Sequence, residues 1–377
     1  MPRLQPADIE QELSQLASKG DVGGELSHES GMGRRAFLGT AAVATATLAS
    51  AGAFAGPAAG AVGANLAASP PQGFSPMSAP GKIVKVSKAN SLKPNGLYPK
   101  DDDAKAMLEK ALCEFTGKRD MPTAIAQFIH KNDIVCVKVN GIAKQNMSNN
   151  KELVLPFLEA MIESGVKPEN ITVLEQYGSY LEGTRISASN VPKGVKIAIH
   201  NNGNATMEDR LIPGTGVRTK FVRYLTEATA VVNFALIKDH SICGYTGLLK
   251  NMTHGCTINP SDFHAHHASP QIAQLYAQDV VKSRMRLGIV DGFKVMYDGG
   301  PLWKRPEAVK PHEAVYVATD PVAMDAIGWD IVEKYRADGK LKSLTESGRE
   351  PAYIKAAADL GLGIFDRSQI KVKEFVI

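Results

Sequence analysis

The stretch Ala230-Val231-Val232-Asn233-Phe234-Ala235-Leu236 is a short and almost wholly apolar run. It lacks the alternation of a half-buried strand, and a run of this kind is typical of a strand buried on both faces of a sheet. Similar short runs, rich in β-branched residues, recur along the chain, and we predict strands at 82–86, 134–139, 171–175, 195–200, 287–290 and 314–318 as well.

Longer stretches with helical periodicity separate these runs, and they predict helices at 101–116, 152–164, 217–226, 270–281 and 322–335. Strands that alternate with helices favour an α/β fold, here a mostly parallel sheet with helices on both faces. In open sheets of this class, ligands bind outside the carboxyl ends of the strands. We therefore expect the active-site cleft at the C-terminal ends of the strands.

The N-terminal region carries the pattern Gly33-Arg34-Arg35-Ala36-Phe37-Leu38, followed by a weakly apolar run and the small-residue sequence Ala53-Phe54-Ala55. This resembles a twin-arginine export signal with its cleavage site, although a merely basic flank would give the same two arginines. We expect residues 1–55 to be this signal with an extended leader, 56–81 to be a flexible tether rich in Ala, Gly, Pro and Ser, and 82–377 to be one α/β domain.

Composition limits the partners. The chain has 377 residues, of which 44% are hydrophobic and 22% charged, and a formal net charge of +4. Since no basic run with interleaved aromatics occurs, we predict no nucleic-acid partner but a small anionic substrate, besides the twin-arginine translocase during export. No apolar stretch after the signal is long enough to span a membrane. The four cysteines form no Cys-x-x-Cys pair, so they indicate neither an iron–sulfur cluster nor a zinc ribbon; a disulfide is open.

Three polar residues lie at or just past the ends of predicted strands: Lys138, Glu175 and His240. Because the ends of parallel strands meet at one edge of a sheet, we predict that these three side chains are the catalytic groups of the cleft. Lys138 has a second interpretation, as an edge residue whose charged head lies in water. Asn140, two residues after Lys138, is a candidate for cofactor binding.

The segment 238–268 is long, irregular and dense in Gly, His, Asn and Thr, as functional loops are. Two glycines around Thr246 could wrap backbone N–H groups about an anion, with Lys250 supplying a charge. We therefore expect Thr246, Gly247, Lys250 and Asn251 to bind a cofactor. Potential metal ligands follow in quick succession, although they could equally be a solvated turn: His254, Cys256, His264, His266 and His267.

Together these motifs resemble an uncharacterised family, domain of unknown function 362. The resemblance rests on Lys138-x-Asn140, Lys238-x-His240, Thr246-Gly247-x-x-Lys250-Asn251, Gly300-Pro301 and Asp320-Pro321-Val322-Ala323-x-Asp325, and covers about residues 82–340. Val139 stands where the family has proline. Asp320 before Pro321 is also a ready helix N-cap.

A second, more distant resemblance is to the nickel-pincer lactate racemases, through the spacing of His240, Lys250 and His266. It implies a proton-transfer role for His240, a covalent cofactor anchor at Lys250 and a nickel ligand at His266, with His254 and His264 as further metal candidates. The second histidine of that family is absent here, where Glu175 stands instead.

From these observations we expect an exported, metal- or cofactor-dependent enzyme acting on a small anionic substrate by racemase-, isomerase- or oxidoreductase-like chemistry. The cofactor would be nickel-pincer-like, or a bound transition metal such as Ni, Zn or Fe. The alternative is a non-catalytic periplasmic protein that carries a metal or assists a redox complex. Oligomeric state cannot be read from the sequence.

Overall fold

The computed structural model describes residues 65–377, and eleven strands are distributed along this range. In chain order they are β1 Lys82–Ser87, β2 Val135–Lys138, β3 Ile171–Glu175, β4 Lys196–Ile199, β5 Arg210–Leu211, β6 Arg218–Thr219, β7 Ala230–His240, β8 Gly244–Thr246, β9 Met285–Met296, β10 Val309–Ala318 and β11 Lys371–Val376. Nine of these strands form the central sheet, whereas β5 and β6 pair only with each other.

The central sheet has the order β11-β1-β10-β9-β7-β2-β3-β4, with β8 attached to β7 as a hairpin. The pairs β7–β9, β7–β2, β2–β3, β3–β4 and β1–β11 are parallel. Only β10, which pairs with β1 and β9, and the β8 hairpin run antiparallel to their neighbours. The expected mostly parallel α/β sheet is therefore confirmed.

Helices cover both faces of this sheet, as expected. They are α1 Asp101–Thr116, α2 Met121–Ile125, α3 Lys151–Glu163, α4 Gly178–Thr184, α5 Arg223–Thr226, α6 Leu248–Thr253, α7 Gln271–Tyr276, α8 Asp279–Lys282, α9 Pro321–Asp338 and α10 Tyr353–Asp359. Among them no helix is long and apolar enough to cross a membrane; this finding concerns only the described part of the chain.

Strand β7 illustrates why an apolar run predicts a two-sided core. Val232 and Phe234 pack into the cluster formed with α1, α2 and α3, whereas Val231 and Ala235 pack into the cluster formed with α6, α7, α9 and α10. All eleven residues of β7 are buried. Since successive side chains point to opposite faces, both faces must be apolar for such a strand to be covered on each side.

Two predicted helices are wrong in extent. The prediction of a helix at 217–226 fails because Arg218–Thr219 pairs with Arg210–Leu211, and the helix α5 begins only at Arg223. The predicted helix at 270–281 is two short helices, since Gln278 between them has an extended conformation.

The expected export signal, residues 1–55, lies outside the described residues, as does the expected tether up to residue 64. The rest of that tether, 65–81, contacts the domain. The backbone N–H of Leu66 donates to Asp279 Oδ2 at 2.7 Å, and that of Ala79 to Thr319 Oγ1 at 2.9 Å. Leu66 and Ala79 are therefore hydrogen-bonded to the domain, in the part of the chain where we expected a flexible tether. The domain boundaries themselves stay predictions.

Candidate active site

A cavity of about 200 Å³ opens at the carboxyl ends of β2, β3 and β7. The chain passes from β2 to β3 and β4 on one side, then returns to place β7 and β9 on the other side of β2. A change of direction of this kind leaves a crevice between neighbouring strands, which is where open α/β sheets bind ligands. The cavity lies at this crevice, so the fold itself explains its position.

Lys138 ends β2 and Glu175 ends β3, and their side chains form an ion pair at the cavity wall. The side chains are only 2% and 4% exposed. Glu175 also accepts the backbone N–H of Gly141 at 3.3 Å, and Lys138 also donates to the carbonyl of Val139. A lysine has three N–H donors, so one remains for a ligand after these two acceptors are satisfied.

The turn after α6 can pack closely against Lys138 because residue 255 is a glycine. A Cβ built on Gly255 would lie 2.6 Å from Lys138 Cε, closer than carbon atoms pack. Any other residue at 255 would force the lysine side chain or the turn to shift. The ion pair is therefore held between the strand ends and the turn that follows α6.

Strand β7 continues beyond the end of β2, because Asn233 is the residue opposite Lys138. This extension carries Lys238 and His240 over the cavity, and both line it. Lys238 is fully buried and its Nζ donates to Asn140 Oδ1 at 3.0 Å.

A row of amides fixes which atom of Asn140 faces Lys238. The Asn251 amide nitrogen donates to the backbone carbonyl of Phe234 at 3.0 Å, so the Asn251 oxygen faces the other way. That oxygen accepts from the Asn140 amide nitrogen at 3.2 Å, which leaves the Asn140 oxygen for Lys238. The partner of Lys238 is consequently a neutral amide oxygen and not a carboxylate. Burial is the main cause that lowers the pKa of Lys238 to about 7. The positive charges of Lys250 and Lys138 also lower this pKa, whereas the Glu175 carboxylate opposes them.

His240 is held in one tautomer by the turn after β7. Its Nδ1 accepts the backbone N–H groups of Ile242 at 3.2 Å and Cys243 at 3.4 Å. Burial and the nearby cation of Lys250 hold the pKa of His240 well below its usual value. A neutral ring whose Nδ1 accepts must carry its proton on Nε2. His240 therefore offers the cavity an N–H donor, where we expected a group that exchanges protons.

In the glycine-flanked turn, backbone amides that we expected to face an external anion are bonded within the protein. Gly244–Thr246 is a strand, β8, and the first amides of α6 are taken by a carboxylate of the protein itself: Asp325 accepts Leu248 N–H at 2.6 Å and Leu249 N–H at 3.0 Å. A Cβ on Gly247 would lie 2.1 Å from Asp325 Oδ1, so Gly247 makes room for this carboxylate and does not line the cavity.

Helix α6 then presents its polar side chains to the cavity. Lys250 lies beside His264, with 3.2 Å between Lys250 Nζ and His264 Nε2. Lys250, Asn251, Thr246 and Asn140 all line the cavity. The Thr246 hydroxyl is buried and has no hydrogen-bond partner in the described chain, so the site contains a polar group that a ligand could satisfy.

The predicted metal ligands come together only in part, since the rings of His254 and His264 lie with their centroids 4.6 Å apart but His266 lies elsewhere. His264 and His254 line the cavity, but the Nε2 of His254 is bonded to the Phe263 carbonyl at 3.2 Å. His266 is exposed and does not line the cavity. Burial raises the pKa of the Cys256 thiol to about 12, which disfavours the thiolate that binds metals. No group of three His, Cys, Asp or Glu side chains within residues 65–377 is arranged to hold a metal ion.

Sequence reasoning missed the roles of Lys238 and Asp325. The predicted strand ends at 236, short of Lys238, and the amides that contact Asp325 are 76 and 77 residues away in the chain, beyond the reach of local patterns. The N-cap role of Asp320 is confirmed, since its carboxylate accepts the Ala323 N–H at 2.9 Å.

Comparison with known proteins agrees with the motifs. No curated protein matches the chain. The family model described as "Domain of unknown function (DUF362)" matches residues 135–330, which is more than half of the chain and includes all the residues that line the cavity. The chain therefore belongs to the DUF362 family of domains of unknown function.

Proposed function

We propose that this protein is an exported enzyme that binds a small carboxylate in the cavity and moves a proton on it, as isomerases do. The observation that carries the proposal is the charge of the cavity wall. Lys138, Lys238 and Lys250 line it, and Glu175 is the one acidic residue among the described lining residues. Since Glu175 is already paired with Lys138, the wall retains positive charge that an anion would balance.

The cavity also has a donor for a second oxygen of the ligand. The fixed Nε2–H of His240 is available to an oxygen on which negative charge develops, and a donor of fixed orientation in a buried site stabilises such charge strongly. A neutral imidazole that polarises a carbonyl is a known solution in proton-transfer enzymes. In a carboxylate that also bears a carbonyl group, the carboxylate would balance the positive charge of the wall and the carbonyl oxygen would accept the His240 Nε2–H.

A nickel-pincer cofactor would need His240, Lys250 and His266 around one space. Two of these line the cavity, while His266 is exposed outside it, so the residues present do not fit that group. The proposal accordingly uses only side chains of this chain. The alternative of a metal carrier predicts tight binding of a divalent cation, and the absence of a ligand cluster within residues 65–377 disfavours it.

Isothermal titration calorimetry with pyruvate tests the anion site. We expect the wild type to bind one pyruvate, and Lys250→Met to weaken binding about 10- to 100-fold, because a hydrogen bond to a charged group contributes about 1.5–3 kcal/mol. Lys294→Met is the matched control: Lys294 is buried, is bonded to the Asn146 carbonyl at 2.6 Å and does not line the cavity. Equal affinities of wild type and Lys250→Met would refute the proposal.

Export rests on the sequence pattern at Arg34-Arg35 and needs a separate test. Residues 1–60 fused to a reporter protein that folds in the cytoplasm should direct it out of the cell. Replacing both arginines by lysine should stop export, since the twin-arginine pattern is lost while the charge is kept. Continued export of the double-lysine fusion would contradict this part of the proposal.

A further inference from the structure

Lys238 is the cavity lysine to which the proposed function assigns no step of the reaction, and its surroundings set it apart from Lys138. Lys138 is paired with Glu175, whereas Lys238 contacts the amide oxygen of Asn140. Both side chains are buried, so the difference between them lies in the chemistry of the partner. A carboxylate partner favours the ammonium form, and an amide partner accepts a hydrogen bond from either form.

The elements packed around Lys238 do not supply a second anion. The charged groups that act on it are Lys138 on β2, Glu175 on β3 and Lys250 on α6, so two cations and one carboxylate face it. The same burial and cations bring the pKa of Lys238 to about 7, which makes the neutral amine abundant at physiological pH. A general base works best when its pKa lies near the working pH.

Resting on the proposed function, we propose that Lys238 is the general base of this site, and that its substrate is a small 2-oxo carboxylate from which it removes a proton next to the carbonyl group. The carboxylate would bind near Lys250 and Lys138, and the carbonyl oxygen would accept the His240 Nε2–H. All four side chains line the same cavity of about 200 Å³, a volume that suits a molecule of few carbons.

The reaction balances without any other reactant. The C–H bond next to the carbonyl breaks, and its proton moves to the neutral amine of Lys238, which becomes an ammonium. The electron pair of that bond forms the C=C bond of an enolate, and the carbonyl π pair moves onto the oxygen that His240 stabilises. Return of the proton from Lys238 to the same carbon re-forms the C–H bond and restores the substrate.

The amide row explains how the amine is held. Asn251 is anchored to the Phe234 carbonyl and orients Asn140, which orients Lys238. Replacing Asn140 by aspartate keeps the shape but puts a carboxylate beside the amine. An opposite charge within about 4–6 Å raises the pKa of an amine by about 1–3 units, so this variant should shift the base to higher pH.

The test measures exchange of the pyruvate methyl protons in D₂O by ¹H NMR as a function of pH. The wild type should catalyse exchange with a rate that rises through about pH 7, where Lys238 loses its proton. Lys238→Met, whose side chain has similar length, should lose about 10²-fold or more of the exchange rate. Asn140→Asp should move the rise to higher pH, and Lys294→Met should behave as the wild type.

Pyruvate binding, measured on the same variants, separates the two claims. If Lys238→Met binds pyruvate and exchanges its protons within about threefold of the wild-type rate, Lys238 is not the base. A wild type that binds pyruvate without exchanging it also overturns this inference and leaves the anion site standing. If pyruvate does not bind, the proposed function itself fails.

Discussion

The buried pair of Lys138 and Glu175 gives a quantitative test of the site's architecture through stability. Glu175→Gln removes the carboxylate and leaves the lysine charge in a place where both side chains are at most 4% exposed. Breaking a buried pair in this way costs about 3–5 kcal/mol, because the remaining charge is uncompensated. At roughly 2 °C per kcal/mol for a domain of this size, we expect the melting temperature to fall by about 6–10 °C.

The double variant decides whether this cost comes from the lone charge. Lys138→Met with Glu175→Gln removes both charges, and replacing a buried pair by uncharged groups is often neutral or stabilising. We therefore expect the double variant to be at least about 2 kcal/mol more stable than Glu175→Gln alone, so that the effects of the two substitutions are strongly non-additive. Urea denaturation at fixed pH measures all four proteins of the cycle.

The matched control is the exposed pair of Lys355 and Asp359 on α10, whose side chains are each 62% exposed. Asp359→Asn should change the free energy of unfolding by less than about 1 kcal/mol, since surface pairs contribute little. The reasoning is refuted if Glu175→Gln is no more destabilising than Asp359→Asn, or if the effects of Lys138→Met and Glu175→Gln simply add.

Three further predictions concern the shell around the site. Gly328→Ala should lower the free energy of unfolding by about 1–3 kcal/mol in urea, because the new Cβ would lie 1.9 Å from Tyr245 Oη, whereas Gly203→Ala, with 3.5 Å to its nearest atom, should change it little. Burial raises the pKa of Asp325 to about 7, so the stability it contributes is full below about pH 4 and lost as the pH rises through 7. Asp325→Asn should remove this dependence of stability on pH. The prediction is wrong if the free energy of unfolding changes between pH 5 and pH 8 by the same amount in the variant and the wild type. The ¹⁵N NMR spectrum of His240 should show a neutral ring with its proton on Nε2 and a pKa below the usual value of histidine; a proton on Nδ1, or titration at the usual pH of histidine, would disprove the fixed donor.

Local sequence patterns predicted the parts of the fold that local forces determine. The buried strand β3 and the helix α1 match the predicted bounds. A short β-branched run is compatible only with a strand, and a long run with helical periodicity only with a helix. Helix α6 and strand β8 were not predicted. Their apolar and glycine-rich sequence has no clear period, and contacts far along the chain, such as that between Asp325 and the amide of Leu248, determine their conformation.

The candidate site was predictable to the same extent. Lys138, Glu175 and His240 meet at one cavity because strand ends of a parallel sheet meet at one edge. The prediction that His266 belongs to the site is wrong, because residues close in sequence can point to different sides of a turn. His264 contacts Lys250, whereas His266, with a φ of 51°, is exposed. The role of Lys238 depends on the orientation of Asn140, which only the three-dimensional amide row determines.

The most direct test of the central claim is a crystal structure of the wild-type protein soaked with pyruvate. We predict density for one pyruvate in the cavity at the ends of β2, β3 and β7, with its carboxylate near Lys250 and Lys138 and its carbonyl oxygen within about 3 Å of His240 Nε2. A cavity without pyruvate, in crystals where the ligand occupies only surface positions, would contradict the account.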